Sequence, residues 1–387
     1  MTFSDRLLSA PFFLTCARRA NQDVVATIKR QLQLLLPGVS IFLDVDDLES
    51  IDALESYVQA SQAMLVLLGS SQYFTSRNCQ RELAEAQRLS LPLVRVHDAD
   101  AAKNGAPLSS LRTAASRRLQ RQDTTRLFDV GAAQQPIIIP WLRIGHFQQV
   151  SLASIAEQVL LATPACVDVA SVPLALKGGL AWAEPTFAQP VALFVSQLNP
   201  AATEPAHELA SALAEVGVSA SLDAATHWLL FVSPECFEGE QGQQLEAQVQ
   251  AATAAGRRLM LAWSPEACDD FKHVIEATPH ALVSAGLYET LAIEWRGGVH
   301  RRVSVRLAAK ALGAQMTASS GGTCEGACQP SLCVRALASC VRGGVSSGAA
   351  TVGARRERWS RQRVVSQGPL ALTDGVSAQG HELTSVP

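Results

Sequence analysis

Val39-Ser40-Ile41-Phe42-Leu43, Ala63-Met64-Leu65-Val66-Leu67-Leu68 and Leu91-Pro92-Leu93-Val94-Arg95-Val96 are three apolar runs in close succession, and their reading decides the fold. The acidic loop Asp44-Val45-Asp46-Asp47-Leu48-Glu49 and the helically spaced Ile51, Leu54 and Val58 separate the first two. A polar loop from Gly69 to Cys79 and the helical text Gln80-Arg81-Glu82-Leu83-Ala84-Glu85-Ala86 separate the second and third. A strand that is apolar at every position is covered on both faces. Such strands alternating with helices predict a parallel sheet with helices on either side.

Upstream, Pro11-Phe12-Phe13-Leu14-Thr15-Cys16 reads as a strand ending in Arg18-Arg19-Ala20-Asn21. Val24, Val25, Ile28, Leu32 and Leu35 follow at helical spacing until Pro37-Gly38 stops them. Downstream, Ala101 to Gln135 reads as a polar surface segment with one irregular helix. Ile137-Ile138-Ile139 is the fifth strand, and Ser151 N-caps a helix that runs to Leu161. The fold class expected is α/β, with a flavodoxin-like parallel five-stranded sheet over residues 10–163.

Residues 164–189, with Pro164, Pro173, Gly178-Gly179 and Pro185, read as a linker. A second, smaller α/β unit is expected at 190–312, with strands at Val191–Val195, Val218–Leu222, Trp228–Val232 and Leu259–Trp263. Met64 to Phe74 (MLVLLGSSQYF) lines up with Leu229 to Phe237 (LLFVSPECF), which suggests a diverged internal repeat. The second copy lacks the acidic loop and its helix, and Leu245 stands at the position of Glu82. Residues 313–387 lose all periodicity and read as a disordered tail.

Of the 387 residues, 48% are hydrophobic, enough for two sizeable cores. A net charge of −3 gives no reason to expect nucleic acid or an anionic membrane as partner. No apolar run has the length of a bilayer span. Asp5 beside Arg6, ahead of the apolar Leu7 to Ala17, is the wrong charge pattern for a secretory leader. Nine cysteines, an odd number with the five before residue 300 widely scattered, fit free thiols in a reducing, cytoplasmic compartment.

A parallel sheet of order 2-1-3-4-5 binds ligands beyond the carboxyl ends of strands 1 and 3, where the order reverses. The loops at that edge hold Arg18, Arg19 and Asn21 on one side and Ser70 to Asn78 on the other. The acidic loop borders them, and Glu82 lies one turn into the following helix. Cationic, acidic and carboxylate groups therefore converge on one rim.

The succession Phe42-Leu43-Asp44-Val45-Asp46-Asp47-Leu48-Glu49, then Ser70-Ser71-Gln72-Tyr73-Phe74-Thr75-Ser76-Arg77-Asn78-Cys79-Gln80-Arg81-Glu82-Leu83, resembles a Toll/interleukin-1 receptor (TIR) domain. The resemblance covers residues 10–162. It implies self-association with TIR domains of the same or other proteins and, as in many members, cleavage of NAD to nicotinamide and ADP-ribose products. NAD would then be substrate, with no resident cofactor. The family's catalytic glutamate falls on Glu82, suited to hydrogen-bond ribose hydroxyls and to stabilise oxocarbenium-like charge. Arg18 and Arg19 match the basic residues offered to the pyrophosphate, and Glu49 matches the loop that governs assembly. Asp44, Ser70 and Asn78 complete the nucleotide rim, Asn78 standing where enzymatic members often carry Trp. The alternative within the resemblance is a TIR scaffold without NAD cleavage.

Residue type alone leaves other readings open. Glu82 also suits a solvated helix face, and Arg18-Arg19 a plain surface pair. Asp44, Asp46 and Asp47 resemble a receiver-type Mg²⁺ site, but the first strand ends in Arg and the third in Gly-Ser, so no metal is expected. Cys79 suits a small buried hydrophobe. His97 with Asp98 and Asp100 fits a strand-end loop. Cys324, Cys328, Cys333 and Cys340 have no standard zinc spacing.

Overall fold

The computed structural model describes residues 11–15, 21–36, 38–43, 53–129, 138–163, 174, 176 and 178–318, and statements of absence below refer to these. The first half runs β1 (Phe12–Thr15), α1 (Gln22–Leu35), β2 (Ile41–Leu43), α2 (Leu54–Gln59), β3 (Met64–Leu68), α3 (Arg77–Arg88) and β4 (Leu93–His97). It continues with α4 (Leu108–Ser116), α5 (Arg121–Phe128), β5 (Ile138–Pro140) and α6 (Gly145–Leu161). The sheet order is β2-β1-β3-β4-β5, parallel throughout. This is the flavodoxin-like order, with its reversal between β1 and β3.

Two-sided burial accounts for the continuous apolar runs. Phe12, Leu14, Leu65 and Leu67 join the cluster of Val25, Ile28 and Leu32 from α1 and of Ile155 and Val159 from α6. Phe13, Met64, Val66 and Leu68 point the other way, into Leu54, Leu83, Leu111 and Leu127 of α2 to α5. Gly38, at φ +91°, reverses the chain after α1 in the left-handed region that glycine enters freely. The segment expected to hold one irregular helix contains two, α4 and α5, because Leu111, Ala115, Leu127 and Phe128 supply a buried stripe.

The second half adds β6 (Ala183–Thr186), β7 (Val191–Phe194), α7 (Thr203–Ala212), β8 (Val216–Ser219), β9 (His227–Phe231), α8 (Gly239–Ala254) and β10 (Arg258–Trp263). Then follow α9 (Phe271–Ala277), α10 (His280–Ser284), β11 (Ile293–Glu294), α11 (Arg301–Ala311) and β12 (Gln315–Ala318). The order β8-β7-β9-β10-β11 is again 2-1-3-4-5. As expected, β8 runs into β9 with no helix between them. The buried positions Gly242, Leu245 and Val249 of α8 match Cys79, Glu82 and Ala86 of α3 at one constant offset. Two stretches differ from expectation in this half. Part of the linker forms β6, which pairs antiparallel with β12 (Thr186 against Gln315). β12 in turn lies inside the stretch read as tail. Residues beyond Ala318 lie outside the described set.

The two sheets belong to one compact unit. Phe147 and Val150 of α6 pack with Leu180, Ala181 and Val303. Phe147 thus faces the second half, whereas Trp141 packs with the helical residues Leu152 and Ile155. Ser151 lies inside α6 and does not cap it as expected, because the helix already begins at Gly145; its hydroxyl donates to the Pro140 carbonyl at 2.6 Å and meets His300 Nε2 at 3.0 Å. His300 is buried, and the Phe147 ring lies edge-on to it. Burial first, and the Arg296 charge second, push its imidazole down to about 4 from 6.5. The unfolded chain therefore takes up this proton first as pH falls, and stability is lost between those two values. The shift corresponds to about 3 kcal/mol. Urea melts of the wild type and His300→Gln at pH 7 and about pH 4.5 should differ by roughly that amount in their acid sensitivity, the variant being the less sensitive.

Candidate functional site

The loop between β3 and α3 is built from side-chain caps. Ser70 accepts from the Gln72 N–H at 3.2 Å and so starts a single 3₁₀ turn over Ser71–Phe74. Tyr73 and Phe74 plug that turn into the core beneath it. Ser76 accepts from the Cys79 N–H at 3.4 Å and caps α3. Cys79, Glu82, Leu83 and Ala86 then recur on one helical face, turned towards the sheet. A glutamate is thereby carried inward by the same periodicity that buries its apolar neighbours.

Glu82 is 0% exposed, which overturns the reading of a solvated helix residue. Its carboxylate accepts a hydrogen bond from Thr15 Oγ1. Thr15 is the last residue of β1 and pairs with Val66 of β3. The carboxylate therefore sits at the point where the strand order reverses. Gly69, at the end of β3, closes the other side against the buried Asn21. A Cβ at Gly69 would run into the Asn21 amide, with Cγ only 2.9 Å away. Gly69→Ala is expected to cost about 1–3 kcal/mol through overpacking, measured by urea denaturation.

Ser70 and Asn78 flank this point. Ser70 is buried and engaged in its cap, whereas Asn78 is half-buried at the first turn of α3. Arg18, Arg19, Asp44 and Glu49 lie outside the described residues. One turn away from the crevice, Arg81 grips Glu55 of α2 through two hydrogen bonds of 2.7 Å. Those bonds hold the Glu55 carboxyl below its usual range and tie α3 to the helix that follows the acidic loop.

A second polar node lies at the ends of β4 and β5. Arg143 reaches Asp23 at 2.9 Å, Asp98 at 2.8 Å and Asp100 at 3.2 Å. Asp98 is fully buried, and burial raises its carboxyl above the ordinary value despite the guanidinium. His97 bonds the Ala106 carbonyl at 2.8 Å. These groups brace the loops around the crevice and fit the strand-end reading of His97 and Asp98. Thr15 and Arg143 were not legible as site residues. A polar end to the run Phe-Phe-Leu was the one signal for Thr15, and nothing local marked Arg143. Cys79 is a buried core residue, as its size suggested.

The second half carries no counterpart of this carboxylate. Leu245 is buried among Trp228 and Leu230. At the reversal point of that sheet Asn199 makes two bonds to the Phe231 backbone, at 2.9 and 2.8 Å. Ser196 donates to Gln248 at 2.6 Å. The side chains that make these contacts at the second reversal point are uncharged. Among the described residues no three His, Cys, Asp or Glu side chains are grouped to hold a metal ion. No helix there is long and apolar enough to cross a membrane. No protein-family model and no curated protein matches the chain.

Proposed function

We propose that residues 10–163 form a cytoplasmic TIR-type signalling module that acts by homotypic assembly and cleaves NAD to nicotinamide and an ADP-ribose product. One observation carries the reading: a buried glutamate, Glu82, is held by the last residue of β1 at the switch point of a 2-1-3-4-5 sheet. A carboxylate there suits the ribose hydroxyls and the positive charge that develops as the glycosidic bond breaks. Water expelled from such a site strengthens that electrostatic contribution. Arg18 and Arg19, just after β1 in sequence, are the donors proposed for the pyrophosphate, with Asp44, Glu49, Ser70 and Asn78 around the nucleotide.

The competing reading is a TIR scaffold that assembles without chemistry. The complete enclosure of Glu82 favours it, since a carboxylate with no exposed surface meets no substrate until its cover moves. The two readings separate when self-association and nicotinamide release are followed together on the full-length protein by sedimentation and chromatography. The enzyme yields nicotinamide that rises with the associated fraction. The scaffold associates and leaves NAD whole.

A further inference from the structure

The joint between the halves is made by α6 on one side and by Leu180, Ala181, His300 and Val303 on the other. α6 shares its face of the first sheet with α1, and α2 to α5 cover the opposite face. α11 shares its face of the second sheet with α7, and α8 to α10 cover the opposite face. The α2–α5 and α8–α10 layers therefore lie on the sides of their sheets remote from the joint, and both face outward.

These two layers carry opposite charge. Around the α4–α5 turn, Arg117, Arg118 and Arg121 are exposed and make no ion pair among the described residues. Residues 112–129 hold Arg112, Arg117, Arg118, Arg121 and Arg126 against Asp123 and Asp129, and Asp129 is taken up by Arg112. A groove of about 480 Å³ beside them, lined by Ala106, Leu111 and Ala114 with Ser71 and Arg117, adds apolar contact to the charges. In the other layer Glu235, Glu238 and Glu240 are exposed at the entry to α8, and Glu246 follows along the helix. From Glu215 to Gly256 the chain contains no lysine or arginine.

We infer that copies of this chain stack head to tail, the arginine-rich outer layer of one copy docking on the acidic outer layer of the next. Charge complementarity selects a second copy as the occupant. Each layer repels its own kind, so a two-fold contact between like layers is disfavoured. Unlike patches on two outward faces make a heterologous contact, which leaves one patch of each sign free at the ends and grows into an open chain. A nucleic acid is the poorer fit, because the molecule is net negative and its acidic layer opposes a polyanion. This contact is distinct from the assembly proposed for residues 10–163, which joins first halves to each other, since it needs the second half.

The test is sedimentation velocity of the full-length protein at up to about 100 μM, the range of a weak interface. The wild type should associate at about 50 mM salt and dissociate as salt rises to about 300 mM. Arg117→Glu, Arg118→Glu and Arg121→Glu together make both layers acidic. Glu235→Lys, Glu238→Lys and Glu240→Lys together make both layers basic. Each triple variant alone should associate at least about tenfold more weakly than the wild type. An equimolar mixture of the two should associate again, because unlike layers then meet at every contact. That rescue also shows both variants to be folded, since all six positions are exposed. Association that persists in the Glu→Lys variant overturns the inference and leaves a contact between first halves standing. A folded pair that stays apart on mixing overturns it as well. So does a wild type that remains monomeric at low salt; a labelled oligonucleotide that it binds and the Arg→Glu variant does not would then assign the arginines to nucleic acid.

Discussion

Glu82→Gln is expected to lower nicotinamide release from NAD by about 10²–10³, the usual scale for removing one electrostatic contact to a transition state. The substitution keeps the side chain's volume, and the amide oxygen still accepts from Thr15 Oγ1, so the packing of α3 on β1 persists. What disappears is the negative charge beside the developing oxocarbenium. Glu82→Ala removes the charge too, but leaves a hole in a fully buried position and confounds catalysis with stability. The Gln variant is therefore the informative one. Initial rates are compared at matched folded fractions, verified by thermal melts. A Gln variant that turns over at the wild-type rate removes Glu82 from the chemistry.

Arg143→Met should destabilise the protein by about 3–5 kcal/mol, because it strands a fully buried carboxylate without its cation. The same substitution frees Asp23 in the first turn of α1 and Asp100 after β4. The pH dependence has a definite sign. Burial already raises the Asp98 carboxyl above 3.8, so the folded state holds this proton more tightly than the unfolded chain. Its penalty is present at neutral pH and fades as pH falls through the folded value towards the unfolded one. Loss of Arg143 raises the folded value further. Asp23 acts in the same direction, since its carboxyl is held low and the stability it contributes is lost in acid. The gap between variant and wild type in urea melts should be widest at pH 7 and shrink towards about pH 4. Adding Asp98→Asn to the variant should recover part of the loss at neutral pH. A gap that is constant with pH, or a double variant no better than the single, would point to lost packing of the Arg143 stem instead.

Much of the architecture was legible because burial on both faces leaves an unbroken apolar signature. Met64 to Leu68 is buried at every residue, and its length and flanking loops distinguish it from a helix. The inward turn of Glu82 was legible in part, since Cys79, Leu83 and Ala86 already defined a core-facing stripe that includes it. Residue type pulled the other way, towards solvent. Elements sustained by distant partners left no local trace. β6 contains Pro185 and sits in text that reads as linker, yet Thr186 pairs with Gln315. β11 is a two-residue strand, too short to carry any period. Arg143 is separated from Asp98 by 45 positions and from Asp23 by 120. Such pairs arise from the closing of the sheet, which brings strand ends together irrespective of their spacing in the chain.

Cleavage requires that the buried carboxylate at the β1–β3 reversal meet a nucleotide. A crystal structure of the full-length protein with a non-cleavable NAD analogue answers that directly. The nicotinamide ribose is predicted within hydrogen-bond distance of Glu82, with the carboxylate released from Thr15 and uncovered. An analogue bound elsewhere, with Glu82 still enclosed against Thr15, would contradict the cleavage mechanism and leave assembly as the function of the first half.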